Sequence, residues 1–377
     1  MQWLSDPQER RARHALKWSA YPADQLPLWV ADLDCQAPPI VRELMTDACN
    51  HGVFGYGVEP PAFRETWVAH LAKAYGWAID PDWIVPIAGV VPAMTYGLEC
   101  FGAHPRVLSP TPAYPYFTTV PERTRRALDY YPLTHTADGF IPDSRVLADR
   151  LAVPEPTVLM LCNPHNPGGA VYTKELLTRI VEQAVATQTP LISDEIWADL
   201  RLDAVPHHPL GKLVPETHPS LTIMAATKTF NIAGFSAAIA IVPHTPTRER
   251  LQATQLAMPH VTPLAFAMTT GCLQSGWDWH AQLLQALRAN RAQVRAWAKE
   301  HPEVRVTTGQ ATFLAWIDHA LTEAEWTEGL SRVGLRLSMG RPFGQPDAVR
   351  LNYGTSPAIL EEALQRLSSV LTRKEHR

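Results

Sequence analysis

Short apolar runs alternate with longer amphipathic stretches through the middle of the chain. The apolar runs are rich in β-branched residues and stop at proline, asparagine, aspartate, lysine or turn residues, which predicts short strands. Between two of them, residues 174–187 have helical periodicity, and Thr173 is a suitable N-cap. This alternation predicts a mostly parallel sheet that helices cover on both faces. The predicted strands are residues 107–108, 157–162, 190–193, 221–226 and 238–242.

The C-terminal third of the chain has a different pattern. Residues 278–299 predict one long helix, and an apolar run at 313–317 predicts a strand after it. A closing helix is predicted over residues 359–372, because Ser356 is a suitable N-cap and Pro357 suits the first helical position. These elements predict a separate and smaller unit.

The two patterns together predict two domains in a chain of 377 residues, which is too long for one small core. The first is a large three-layer α/β/α domain over residues 46–275 with a mostly parallel sheet. The second is a smaller α+β domain that combines the N-terminal arm, residues 1–45, with residues 276–377.

The composition is that of an ordinary folded protein, with 46% hydrophobic and 19% charged residues. A formal net charge of −4 argues against non-specific nucleic-acid binding. No apolar run is long enough to span a membrane, and residues 1–13 lack the apolar core of a signal peptide, so we expect a cytoplasmic protein. The five cysteines are widely spaced, which supports neither a disulfide framework nor a zinc site.

Two polar motifs follow predicted strands at their carboxyl ends, where open α/β sheets bind ligands. The loop 163–169, of sequence NPHNPGG, contains Asn166, whose side chain can donate a hydrogen bond to a phenolate-like oxygen. The alternative for this loop is a simple turn. Asp194 ends another strand, where burial is costly unless the carboxylate meets a cation such as a protonated pyridine nitrogen. The alternative for Asp194 is a helix N-cap.

A lysine and a glycine-containing loop are two further candidates for a ligand-binding site. Lys228 follows a third apolar run, and an amine among apolar residues has a lowered pKa, which lets it attack a carbonyl group. The alternative for Lys228 is a solvated surface position. The segment 88–92, of sequence AGVVP, predicts a loop that opens a helix at Pro92, with free backbone N–H groups suited to a phosphate. The hydroxyl of Thr227 would complete such a cradle.

The order and spacing of these motifs resemble those of fold-type I pyridoxal-5′-phosphate (PLP) enzymes, the aspartate aminotransferase superfamily. Asn166 and Asp194 are 28 positions apart, and Asp194 and Lys228 are 34 apart, as in that superfamily. More narrowly, the chain resembles the cystathionine β-lyase or C–S lyase subgroup of the class I/II aminotransferases. The strings that carry this resemblance are LPLWVADLD (26–34), FGY (54–56), GVVP (89–92), PAY (112–114), NPHNPG (163–168), SDEI (193–196), KTFNIAG (228–234) and RLN (350–352).

The resemblance implies a PLP-transferase-like fold and a role for each matching residue toward the cofactor. Lys228 would hold PLP as a Schiff base and later move the substrate proton. Asp194 would pair with the pyridine nitrogen, Asn166 would bind the 3′-oxygen, and Tyr114 would stack on the ring. The phosphate would be held by Val90, Val91 and Thr227.

The resemblance also implies how the substrate and a second subunit contribute. Arg350 would bind the α-carboxylate of an amino-acid substrate in a bidentate manner, and Ala31 would line the substrate pocket through its backbone. Tyr56 would reach the cofactor phosphate of a neighbouring subunit, which implies a homodimer with shared active sites.

Two positions, 197 and 170, depart from the pattern of the subgroup, and a third, 236, departs from the aspartate aminotransferases as expected for the lyase subgroup. Trp197 stands where the subgroup commonly has histidine and aminotransferases have tyrosine, and its indole can donate a hydrogen bond but cannot accept one. Ala170 stands where an arginine is usual. Ser236 stands where aspartate aminotransferases have a phosphate-binding arginine.

The implied function is a carbon–sulfur β-lyase that cleaves cystathionine or a related cysteine S-conjugate to a thiol, pyruvate and ammonia. A PLP-dependent aminotransferase is the alternative, because the two reactions share the removal of the Cα proton, and no residue in the sequence distinguishes them. A non-catalytic PLP-fold binding or regulatory protein is a third and remote hypothesis. The presence of Lys228, Asp194 and Arg350 argues against it.

Overall fold

A computed structural model of the protein describes residues 1–4, 6–102, 105–255 and 259–371. Short 3₁₀ turns connect several of its elements. The strands are β1 (Leu26–Pro27), β2 (Ile84–Ile87), β3 (Arg106–Thr111), β4 (Leu128–Thr136), β5 (Gly139–Pro142), β6 (Thr157–Cys162), β7 (Leu191–Asp194), β8 (Ser220–Met224), β9 (Ala238–Ile241), β10 (Arg305–Thr307), β11 (Leu314–Asp318), β12 (Leu335–Arg336), β13 (Ser338–Met339) and β14 (Ala348–Asn352).

The helices pack on both sides of the larger sheet and around the smaller one. The helices are α1 (Pro7–Ala12), α2 (Leu16–Ser19), α3 (Pro39–His51), α4 (Pro61–Tyr75), α5 (Val90–Cys100), α6 (Tyr116–Arg123), α7 (Ser144–Leu151), α8 (Lys174–Ala186), α9 (Ala226–Thr229), α10 (Thr245–Gln255), α11 (Pro263–Ser275), α12 (Trp277–Glu300), α13 (Glu323–Arg332) and α14 (Pro357–Leu371).

The central sheet has eight strands in the order β2-β9-β8-β7-β6-β3-β4-β5. The pairs β8–β7, β7–β6, β6–β3 and β3–β4 are parallel, whereas β9 runs antiparallel to both of its neighbours and β5 runs antiparallel to β4. The prediction of a mostly parallel sheet is therefore confirmed.

Alternate side chains of β6 explain the three layers. All six residues of this strand are buried. Val158 and Met160 pack in one cluster with Met94 of α5. Leu159 packs in a second cluster with Leu177 of α8, on the opposite face of the sheet. A strand buried on both faces has a continuous apolar sequence, which is why the run at 157–162 is so evident.

The C-terminal part forms a second, antiparallel sheet in the order β10-β11-β14-β13. The N-terminal arm joins this part of the chain, because β1 pairs in parallel with β12, with Leu26 opposite Leu335. The boundary expected between residues 45 and 46 falls inside α3, so we propose to place it before Pro39. The boundary expected after residue 275 falls between α11 and α12.

Most predicted elements are present, with two corrections at the loops that matter most. The predicted cap of α8 is confirmed, since Thr173 Oγ1 accepts from Leu176 N at 3.2 Å. The strand predicted at 221–226 ends at Met224, and Lys228 lies on the short helix α9 instead of directly after the strand. The helix predicted to begin at Pro92 begins two residues earlier, at Val90.

The early start of α5 has a local cause. Gly89 adopts φ +121°, a conformation that other residues rarely adopt, and this reverses the chain between β2 and the helix. Proline is tolerated at the third helical position because the N–H groups of the first turn have no partner within the helix. The predicted end of the last helix, Thr372, lies outside the described residues, and none of the described helices is long and apolar enough to cross a membrane.

A buried ion pair anchors the N-terminal arm. Lys17 Nζ lies 2.7 Å from Asp34 Oδ2, and neither side chain is exposed to solvent. Trp18 Nε1 donates to the other carboxylate oxygen at 2.7 Å. The pair joins α2 to the segment that follows β1.

We predict that Asp34→Asn lowers the free energy of unfolding by about 3–5 kcal/mol, because it leaves the buried Lys17 ammonium without its nearest counter-charge. Urea unfolding followed by circular dichroism measures this. The exposed Asp24→Asn is the matched control and is expected to change stability by less than about 0.5 kcal/mol. Equal effects of the two substitutions would contradict the prediction.

Candidate active site

A cavity of about 510 Å³ lies at the carboxyl edge of the parallel strands, between the N-terminal arm and β14. Parallel strands end at one edge of a sheet, so the residues that follow β6, β7 and β8 converge there although they are far apart in sequence. The predicted site residues that line this cavity are Ala31, Val90, Val91, Tyr114, Asn166, Asp194, Thr227, Lys228 and Arg350.

Tyr56 lies elsewhere. Its side chain is fully exposed and borders a separate cleft beside the segment 260–264. Within a single chain, therefore, Tyr56 does not reach the cavity that the other nine residues line.

The amine of Lys228 is held against the N-terminal arm. Its Nζ donates a hydrogen bond to the backbone oxygen of Ala31 at 2.5 Å. Burial lowers the pKa of Lys228; the charge of Arg350 lowers it further, while the carboxylates of Asp32 and Asp194 oppose the shift. A lowered pKa increases the fraction of free amine at neutral pH, and the free amine is the form that attacks a carbonyl or accepts a proton.

Asp194 is a buried acid that lacks an ionic partner within the described protein. Ile196 N donates to its Oδ1 at 3.1 Å, which favours the charged form. Burial is the stronger effect and raises the pKa of Asp194 to about 7. A cationic ring nitrogen beside this carboxyl would stabilise its ionised form.

Arg350 projects from β14 into the cavity. Its Nη1 donates to Asn166 Oδ1 at 3.0 Å, and its Nη2 donates to Trp29 O at 2.9 Å and to Ser338 Oγ at 3.2 Å. The guanidinium lies 4.8 Å from the centre of the Phe343 ring. Burial lowers the pKa of Arg350 to about 10, so it remains a cation at neutral pH and suits a carboxylate ligand.

The beginning of α5 presents backbone donors to the same cavity. No side chain caps this helix, and Val90 and Val91 are its first residues. The N–H groups of a first helical turn and the positive end of the helix dipole favour an anion. Thr227 and Ser236 also line the cavity, so two hydroxyl groups accompany the backbone donors.

Aromatic side chains form two further walls. Burial raises the pKa of the Tyr114 phenol to about 12, so its ring is neutral and suited to stacking on an aromatic ligand. Trp197, the departure from the family pattern, is buried and packs edge-on against Phe313, with ring centres 5.1 Å apart. Trp197 therefore lines the cavity as an apolar side chain that packs against Phe313.

Two contributors to the site were not predicted from the sequence. Ser338 supports Arg350 from β13, a two-residue strand with no recognisable pattern. Glu195 follows Asp194 directly after β7 and forms a fully buried pair with His207, with Nε2 and Oε2 2.7 Å apart. Glu195 lies in the string SDEI that carries the family resemblance, but no local pattern indicated that His207 would be its partner.

The set of side chains fits PLP group by group. A buried amine, an acid without an ionic partner, a neutral aromatic ring and a helix N-terminus correspond to its aldehyde, pyridine nitrogen, ring face and phosphate. Arg350 remains for the carboxylate of an amino acid. The residues present therefore fit both a PLP cofactor and an amino-acid substrate.

Comparisons with known proteins agree with this chemistry. The sequence profile of the family "Aminotransferase class I and II" matches residues 27–367. The chain is 29% identical to cystathionine beta-lyase PatB of Bacillus subtilis and 29% identical to cystathionine beta-lyase of Corynebacterium glutamicum, each over 97% of this chain and 98% of the relative. The crystal structure of cystalysin from Treponema denticola, which contains a pyridoxal 5′-phosphate cofactor, superimposes with a TM-score of 0.92 at 25% identity, covering 99% of this chain and all of cystalysin.

We predict that Asp194 makes the stability of the cofactor-free protein pH-dependent. The unfolded chain ionises this carboxyl near pH 4, whereas the folded protein keeps it protonated up to about pH 7. The contribution of Asp194 to the free energy of unfolding therefore falls as pH rises through this window, by up to about 1.4 kcal/mol per pH unit. Urea unfolding of the wild type and of Asp194→Asn should give a stability difference that grows in favour of the variant between about pH 4 and pH 7. A difference that does not change with pH would refute the assignment.

Proposed function

We propose that this chain, which belongs to the class I and II aminotransferase family and uses pyridoxal 5′-phosphate, is a carbon–sulfur β-lyase. Its substrate would be cystathionine or a related cysteine S-conjugate, and its products a thiol, pyruvate and ammonia. The observation that carries the proposal is the cavity in which a buried lysine amine, a buried acid and a carboxylate-binding arginine meet. Full-length similarity to two cystathionine beta-lyases supports the choice of reaction.

Lys228 is the proposed base. When bound, PLP supplies an electron sink for the charge left on the substrate Cα after a proton is removed. Burial keeps part of the Lys228 population as free amine, and general base catalysis of this kind contributes roughly 10²–10⁴-fold. The bond between Cβ and sulfur then breaks, and sulfur leaves with the electron pair as a thiolate, which takes up a proton to become the thiol. The remaining three-carbon fragment hydrolyses to pyruvate and ammonia.

Asp194 and Arg350 orient the reactants. We assign Asp194 to the pyridine nitrogen, since this carboxyl is buried and has no ionic partner among the described residues. Arg350 would bind the substrate carboxylate in a bidentate manner by donating two hydrogen bonds to it. Asn166 accepts a hydrogen bond from Arg350, so one loop can support both the substrate side and the 3′-oxygen side of the cavity. The phosphate is assigned to Val90, Val91 and Thr227, and the ring face to Tyr114.

We predict that the PLP-loaded protein, given cystathionine and no keto acid, releases thiol, pyruvate and ammonia in equal amounts. Lys228→Ala is expected to reduce the rate by at least about 10²-fold. The three products are measured separately, and the same reaction is repeated with an added keto acid. Turnover that requires the keto acid, and yields a new amino acid from it, would identify an aminotransferase and refute the lyase.

We further propose a homodimer with shared active sites. The segment around residue 55 exposes Val53, Phe54, Tyr56 and Val58, with between 65% and 111% of each side chain accessible. An exposed apolar segment of this kind is typical of a protein–protein interface. A second subunit would bury it and would allow Tyr56 to reach the partner's phosphate site.

Subunit complementation tests this arrangement. We predict that Lys228→Ala and Tyr56→Ala, each nearly inactive alone, regain activity when they are unfolded together and refolded as mixed dimers. One site of each mixed dimer would then combine a native Lys228 with a native Tyr56 from the other subunit. No recovery in dimers shown to be mixed would mean that Tyr56 does not act across the interface.

A cytoplasmic location completes the proposal. All five cysteines lie among the described residues and carry free thiols, and four of them are buried. Free thiols persist in reducing compartments.

A further inference from the structure

Residues 28–34 of the N-terminal arm lie between β1 and α3 without belonging to a strand, and Val30 and Ala31 of this segment line the cavity. Buried carbonyl groups need hydrogen-bond donors, and here side chains supply them. Arg350 Nη2 donates to Trp29 O at 2.9 Å, and Lys228 Nζ donates to Ala31 O at 2.5 Å. The two cations assigned to substrate and cofactor are thus bound directly to the arm.

Asparagine side chains supply further donors on either side of these contacts. Asn352 Nδ2 donates to Val30 O at 2.7 Å and to Asp32 O at 2.8 Å. Asn231 Nδ2 donates to Leu33 O at 3.2 Å and to Cys35 O at 2.8 Å. Each amide therefore bridges two carbonyls of the arm.

The two asparagines are placed by the same elements that place the cations. Asn352 follows Arg350 by two residues on β14, so both side chains lie on one face of the strand. Asn231 follows Lys228 by three residues and adopts φ +55°, a left-handed conformation that asparagine tolerates better than most residues. The arm is consequently attached to both halves of the cavity, beside the groups that do the chemistry.

We propose that Asn231 and Asn352 are positioning residues that clamp the arm onto Lys228 and Arg350 and so fix the substrate side of the cavity. The effect on catalysis rests on the proposed function, whereas the effect on the arm does not. Without either clamp, Ala31 O and Trp29 O lose their fixed positions opposite the amine and the guanidinium. Substrate binding should then weaken more than the chemical step.

A matched control exists in Asn290. Its Nδ2 also donates to two buried backbone carbonyls, Tyr353 O and Thr355 O, both at 2.8 Å. This amide links α12 to the loop after β14 and donates no hydrogen bond to the arm. Because Gly354 O of that loop accepts a hydrogen bond from Asp34 N at 2.9 Å, the amide of Asp34 is left out of the comparison. Asn290→Asp therefore introduces the same change of donor and charge without removing a clamp.

Hydrogen exchange of the backbone amides of residues 29–35 gives a direct test, in cofactor-free and in PLP-loaded protein. Asn231→Asp and Asn352→Asp are expected to accelerate this exchange at least about 10-fold, because each removes two hydrogen bonds from the arm. Asn290→Asp is expected to leave it unchanged. In the loaded enzyme, KM for the amino-acid substrate should rise about 10-fold in the two clamp variants, with a smaller fall in kcat.

The outcomes separate the clamp from the proposed reaction. Unchanged exchange in the clamp variants, or equal acceleration in Asn290→Asp, would overturn the clamp. If the clamp variants show accelerated exchange but the wild-type enzyme has no lyase activity, the proposed reaction is wrong and the clamp is still supported. The two results are independent because hydrogen exchange requires no turnover. If the aspartate variants do not fold, Asn231→Gly and Asn352→Leu remove the same donors without adding a charge, and the same outcomes apply.

Discussion

The site depends on burying two basic groups and an acid in one cavity without pairing them with one another. Lys228, Arg350 and Asp194 all line the cavity, yet none forms a salt bridge with another of the three. Burying a charge is costly unless other groups satisfy it. Neutral partners do so here: backbone oxygens for Lys228 and Arg350, and a backbone N–H for Asp194. The amine, the guanidinium and the carboxyl group are thereby left available for a ligand.

This constraint explains the architecture around the cavity. The parallel sheet supplies a rigid edge at which the loops after β6 and β7 and the helix after β8 meet, and β14 of the smaller sheet supplies the guanidinium. The N-terminal arm lines the cavity through Val30 and Ala31 and provides backbone oxygens that accept hydrogen bonds from Lys228 and Arg350. The arm is in turn held by the buried pair of Lys17 and Asp34, so a contact remote from the cavity helps to position the chemistry.

The sequence was sufficient where local patterns determine structure. The run at 157–162 is buried on both faces of the sheet, and its predicted bounds agree with those of β6. The run at 221–226 was misread because Ala225 and Ala226 continue its apolar pattern but are compatible with helix as well as strand. Periodicity cannot distinguish these in so short a segment. The resemblance to PLP enzymes identified nine residues that share one cavity, which spacing alone could not have brought together.

The contacts of the arm could not be predicted, because they join residues far apart in sequence. Asn231 and Leu33 are 198 positions apart, and Asn352 and Asp32 are 320 apart. Both asparagines lie in strings that carry the family resemblance, but an asparagine gives no local indication of which carbonyls it will bind. Ser338 gives even less, since a serine on a two-residue strand has no pattern to recognise.

The central claim is that Lys228 binds the cofactor covalently, and chemical trapping tests it most directly. The PLP-loaded protein is reduced with borohydride, digested with a protease and analysed by peptide mass spectrometry. We expect one phosphopyridoxyl group per chain, on Lys228, and no label in Lys228→Ala. A label on another lysine, or none in protein shown to contain PLP, would contradict it.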